Sequence, residues 1–159
     1  MVKSVQEMMP HIAFGGDYNP EQWDEEVWIE DAKLMKEAGV NLVSVGIFSW
    51  SMIEREEDLF DFDWLDRVIE ILHQQEIGIS LATATASPPA WLSKKYPDIL
   101  AVQPNGVPYQ PGSRQHYSPN SKRFRQSVEK LVKKMAERYG DHPALKMWHV
   151  NNEYACHLA

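Results

Sequence analysis

A single cysteine, Cys156, stands among 159 residues, so the fold cannot rest on an intrachain disulfide. Long apolar runs are missing as well. No stretch reaches the roughly 20 residues that cross a bilayer, and residues 1–9 hold no apolar core of the kind that directs secretion. A cytoplasmic protein is expected. Positive charge is also short: 16 Lys and Arg stand against 23 Asp and Glu, and the net charge of −7 argues against nucleic acid, whose affinity comes largely from phosphate neutralisation. The one basic cluster, Lys122, Arg123, Arg125, Lys130, Lys133 and Lys134, falls on a predicted helix and reads as its solvated face. Glycine-rich phosphate loops are absent too. No G-x-G-x-x-G follows the first predicted strand and no Gly-Lys-Ser/Thr occurs, which disfavours a doubly wound nucleotide-binding fold.

What is present is an ordinary balance for a soluble domain, 43% hydrophobic and 25% charged, with unusually many Trp (6) and Pro (10). The length is that of one domain and suffices to bury about two thirds of the unfolded surface. Tryptophans offer flat platforms on which sugar rings stack, although any single one more often fills a core.

Taken in order, residues 11–16 predict a first strand, followed by a polar and aromatic loop through Trp23. Residues 24–38 predict a helix, with Val27, Trp28, Leu34, Met35 and Ala38 on one face, acids in its first turn and Gly39 as its stop. A second strand spans 40–48 and runs into Ser49-Trp50-Ser51, and 54–61 reads as an acidic loop. A helix opens at Asp63, with Leu65, Val68, Ile69 and Leu72 at helical spacing. The third strand, 77–84, alternates large and small residues, as a barrel stave does. Ser87-Pro88-Pro89 breaks it, and a short helix carrying Trp91 reaches Tyr96. Residues 97–120 hold five prolines, two glycines and no periodicity, and they predict a binding loop carrying Tyr109, Arg114, His116 and Tyr117. The clearest helix spans 121–139, and the fourth strand 145–151.

Four strands alternate with three helices, and a functional-looking segment follows every strand. That order predicts an α/β fold with a parallel sheet, half of an eight-stranded (β/α)8 TIM barrel. The fourth strand ends in Asn151-Asn152-Glu153-Tyr154, which sets amides and a carboxylate at the rim. Glu153 is the candidate general acid, since a carboxyl held in its protonated form donates to a leaving oxygen. Spacing alone favours the plainer reading of a solvated loop glutamate.

Four segments carry a resemblance: Gly15-Gly16-Asp17-Tyr18-Asn19-Pro20-Glu21-Gln22-Trp23, Phe48-Ser49-Trp50-Ser51, Ala84-Thr85-Ala86-Ser87-Pro88-Pro89-Ala90-Trp91-Leu92, and Asn151-Asn152-Glu153-Tyr154. Together they resemble the N-terminal half of the catalytic barrel in family 42 glycoside hydrolases, the β-galactosidases, from about His11 to the last residue. The resemblance implies that 1–159 is the N-terminal part of such a barrel, apparently truncated. It implies retaining hydrolysis of terminal β-D-galactosyl residues, with Glu153 as general acid/base, Asn152 on the sugar 2-hydroxyl and Arg114 holding the galactose. Trp23, Trp50 and Trp91 fall in matching segments and are candidate pocket walls.

Two departures stand out. Retention requires a second carboxylate about 5 to 5.5 Å from the first. In the family it ends the seventh strand, beyond this sequence, so the chain alone is expected to be inactive and to self-associate through open sheet edges. Some members carry a cysteine zinc site. Here Ser118 occupies one such position, and Cys156, His157 and His149 lack the usual spacing, so no metal and no cofactor is expected. The family suggests a homotrimer. A non-catalytic carbohydrate-binding or interaction module, and another barrel glycosidase such as a β-glucosidase or mannanase, are the competing readings.

Overall fold

The computed structural model describes residues 4–112 and 115–154. A single turn of helix, α1 (Val5–Met8), precedes β1 (Asp17–Tyr18). Then come α2 (Glu25–Glu37), β2 (Leu42–Val45), a one-turn helix α3 (Trp50–Ile53) and a hairpin of β3 (Glu54–Glu56) and β4 (Leu59–Phe60). The second half runs α4 (Asp63–Gln74), β5 (Gly78–Ala82), α5 (Ala90–Lys95), α6 (Lys122–Tyr139) and β6 (Leu145–His149).

Four strands form one sheet in the order β1-β2-β5-β6, every neighbouring pair parallel. The sequence order of the strands is also their spatial order, as in the successive units of a barrel wall. The register runs from Leu42 beside Gly78 to Val45 beside Leu81, then from Ser80 beside Met147 to Ala82 beside His149. Central β5 is buried along its whole length, which its small residues permit. At Gly78 an added Cβ would lie 2.7 Å from Lys146 Cγ, so a side chain there would force the Lys146 side chain on β6 to shift.

The core lies between this sheet and helices α2, α4 and α6. Leu65, Val68, Ile69 and Leu72 of α4 are all buried, as their spacing predicts, and Leu131 and Met135 do the same for α6. Ser121 caps α6 by accepting from Phe124 N at 3.3 Å. In α2 the predicted stripe resolves into two. Trp28 and Ala32 are buried, whereas Val27 and Leu34, seven residues apart and about 100° around the helix from Trp28, face outward at 36% and 53% exposure.

Two sequence expectations need correction. Paired strand is Asp17–Tyr18 rather than 11–16, although Phe14 and Gly16 already accept backbone bonds from Asn41 and Ser44 at 2.9 and 3.0 Å. The segment 54–61 is a hairpin, not an open loop, and its Glu54 is buried rather than solvated. The two strands hold only three and two residues, too few to show a period, and Glu54 is buried because the Trp50 indole and the Asp58 N–H donate to its carboxylate.

Candidate active site

Every connection from a strand to the following helix lies at one end of the sheet, because parallel strands all deliver their C-termini to the same rim. The connection from β5 to α6 is the longest, covering α5 and the segment from Pro97 to Ser121. That segment folds back on itself, with Ala101 N donating to His116 O at 2.9 Å and Ser118 N to Ile99 O at 2.6 Å. It therefore returns Gln115, His116 and Tyr117 to the end of β6. There a cleft of about 350 Å³ is lined by Phe48 and Ser51 after β2, Ala86 to Ala90 after β5, Gln115 and His116 from the long loop, and Asn152 and Glu153 after β6. Among the described lining residues Glu153 is the only carboxylate.

The chain leaves β6 in a tight, strained turn. Asn151 and Glu153 both take positive φ, 59° and 45°, which costs a non-glycine residue and concentrates at functional sites. Four side chains hold the turn. Asn151 N donates to Thr83 Oγ1 at 3.0 Å, which ties it to the end of β5. Asn151 Nδ2 donates to the Tyr117 hydroxyl at 2.8 Å, and the Tyr117 ring stacks on Phe124 of α6, centroids 4.2 Å apart. His149 Nε2 lies 3.1 Å from Asn152 Oδ1; when that nitrogen carries the proton it donates to the amide oxygen and turns the amide NH₂ of Asn152 the other way. Gln115 Nε2 donates to the main-chain oxygens of Asn152 and Glu153, both at 2.6 Å.

Of the residues expected from sequence, Glu153 and Asn152 meet in the cleft. Arg114 lies outside the described residues, as do Cys156 and His157. None of the three candidate tryptophans lines the cleft. Trp50 is fully buried, its indole N–H donating to Glu54 Oε2 at 2.8 Å, so it is core and not a pocket wall. Trp91 donates to Glu54 O at 2.9 Å and borders a separate hollow with Glu56, Glu57, Lys94 and Lys95. Trp23 is 59% exposed on the loop after β1. Gln115, His149 and Thr83 were not legible as site residues. The position of Gln115 beside Arg114 was the only available signal, since the pairing of loop and strand spans 37 residues. No group of three His, Cys, Asp or Glu side chains suited to a metal occurs among the described residues.

The parallel, helix-wrapped sheet has the form of a (β/α) barrel wall, with an acid and an amide at the end of its fourth strand. The model of family 42 glycoside hydrolases, described as beta-galactosidase, matches residues 17–159, and the chain belongs to that family. It is 60% identical over 152 residues to beta-galactosidase BgaB of Geobacillus kaustophilus, covering 96% of this chain and 23% of that protein. Among solved structures it superimposes on the beta-galactosidase of Bacillus circulans sp. alkalophilus with a TM-score of 0.91 at 46% identity, covering 95% of this chain and 22% of the other. The enzyme of the psychrophilic Marinomonas ef1 gives 0.88 at 42% identity, with coverage of 92% and 22%. The chain thus spans less than a quarter of the length of the relatives it matches, and its parallel α/β pattern is that of the N-terminal part of their TIM barrel.

Proposed function

We propose that this chain forms the acid/base-bearing part, residues 1–159, of a retaining β-galactosidase barrel acting on terminal β-D-galactosyl residues. The observation that carries the reading is Glu153 beside Asn152 at the end of the fourth parallel strand, facing a cleft. In the first step the Glu153 carboxyl protonates the departing glycosidic oxygen, and in the second its carboxylate deprotonates water. Asn152 holds the sugar 2-hydroxyl, an interaction that strengthens as positive charge develops at the neighbouring carbon. Arg114 secures the galactose. The nucleophile comes from outside these residues, because retention needs a second carboxylate close to Glu153 and the described cleft offers none. Trp23 and Trp91 contribute at most to outer sugar sites. The assembly is a cytoplasmic homo-oligomer without cofactor.

The test is a chimera in which this chain replaces the matching segment of the Geobacillus kaustophilus relative. The chimera should hydrolyse an aryl β-galactoside, Glu153→Gln should lower kcat by about 1,000-fold, and the 159-residue chain alone should give no turnover. Turnover by the short chain would show that both carboxylates lie within it. Full activity of Glu153→Gln would remove the acid/base role.

A further inference from the structure

We infer that Gln115 is a positioning residue for the general acid, which fixes the direction of Glu153 through the backbone; this rests on the acid/base reading above. The two hydrogens of one side-chain amide go to two successive carbonyls, those of Asn152 and Glu153, each at 2.6 Å. These are the two residues expected to touch the sugar. The clamp is therefore applied to the peptide groups on either side of the Glu153 Cα, and it fixes the rotation about that atom from which the carboxyl projects. Such a restraint is needed here because Glu153 sits at φ 45°, a conformation its own side chain does not favour. Gln115 itself sits at φ 50°, so both partners in the clamp adopt costly backbone conformations that the contact helps to hold.

The arrangement also explains why an amide is required. Glutamate would set a carboxylate against two carbonyl oxygens, and leucine would remove this donor from both of them. Neither change touches the sugar. Each loosens the backbone from which the carboxyl projects toward the glycosidic oxygen, and a displacement of about 1 Å at such a group costs about 100-fold in rate.

The experiment uses the chimera with Gln115→Leu, Gln115→Glu and Glu153→Gln, and compares an alkyl β-galactoside with a dinitrophenyl β-galactoside. An alkoxide leaves only with proton donation, whereas dinitrophenolate leaves unaided, so lost acid catalysis affects the first substrate selectively. A general loss of folding or binding lowers both rates alike. The expected result is that both Gln115 variants lower kcat on the alkyl substrate about 100-fold and change the first, glycosylation step on the dinitrophenyl substrate less than about 3-fold, with KM little altered. Glu153→Gln should show the same selectivity, more strongly. If Glu153→Gln is selective and the Gln115 variants lower both substrates equally or neither, the positioning role is wrong while the acid role stands. If Glu153→Gln itself is not selective, the acid assignment fails and the positioning role falls with it.

Discussion

At the scale of single residues, the same side-chain type does opposite jobs in neighbouring segments. Trp50 lies in a stretch that resembles a sugar-binding rim, yet it is buried and bonded to a buried glutamate. Glu54 in turn accepts from Asp58 N at 3.0 Å through its other oxygen, so one carboxylate ties α3 to the hairpin tip. Trp50→Phe preserves most of the packing but strips a donor from a buried acceptor, and it should cost about 1–3 kcal/mol in urea unfolding of the chain. A cost near zero would mean that the pair is not formed. The sequence did not distinguish this tryptophan from a platform because its partner is itself a charged residue in an acidic run. Glu153 and Asn152 were legible, since a polar pair closing an apolar strand points to a rim. Of their supports, Tyr117 was legible only as a member of a binding loop and Gln115 not at all, because their contacts depend on how a 24-residue loop without periodicity folds back.

At the scale of elements, alternation of strand and helix was readable from periodicity, and α4 and α6 formed as their apolar spacing dictates. The short elements were not: β1, β3 and β4 hold two or three residues each and carry no period. β1 depends on a close backbone approach just before it. A Cβ at Gly15 would lie 1.7 Å from Leu42 O, whereas one at Gly16 meets nothing within 4 Å. Gly15→Ala should therefore destabilise the chain by about 2 kcal/mol or more through loss of the β1–β2 pairing, and Gly16→Ala should be nearly neutral. Equal effects on the unfolding midpoint would contradict this geometry.

The turn into β6 is predicted to depend on pH. His142 Nδ1 accepts from Ala144 N at 3.2 Å, so the ring serves only when that nitrogen is unprotonated. Burial holds the imidazole below its ordinary range and His73, its ring centroid 5.5 Å away, pushes the same way, while Glu70 and Asp66 oppose them. The unfolded chain then protonates first as pH falls, so this contribution is intact above about pH 6.5 and is lost progressively below it. Unfolding midpoints should drop across that window, and His142→Asn, which keeps an acceptor but cannot titrate, should flatten the slope. An unchanged slope would assign the pH dependence elsewhere.

At the scale of the whole molecule, four parallel strands leave β1 and β6 as edges of the described sheet. Beside β6 an apolar groove of about 410 Å³ runs between the strand and α6, lined by Val128, Val132, Trp148 and Val150, and Met147 and Val150 are 42% and 63% exposed. Open apolar edges of this kind pair with other chains. The 159-residue chain should sediment as concentration-dependent oligomers, and Met147→Lys should shift it toward monomer. A monodisperse monomer across concentrations would show that the edges are not sticky.

The central claim is that Glu153 is the acid/base of a double displacement, and chemical rescue tests it most directly. In the chimera, Glu153→Ala should hydrolyse a dinitrophenyl β-galactoside slowly, because water lacks its base in the second step. Added azide, which needs no base, should restore turnover and yield the β-galactosyl azide. No rescue, or an azide product of α configuration, would contradict the assignment: the first would deny Glu153 the base role, and the second would show that Glu153 is the nucleophile.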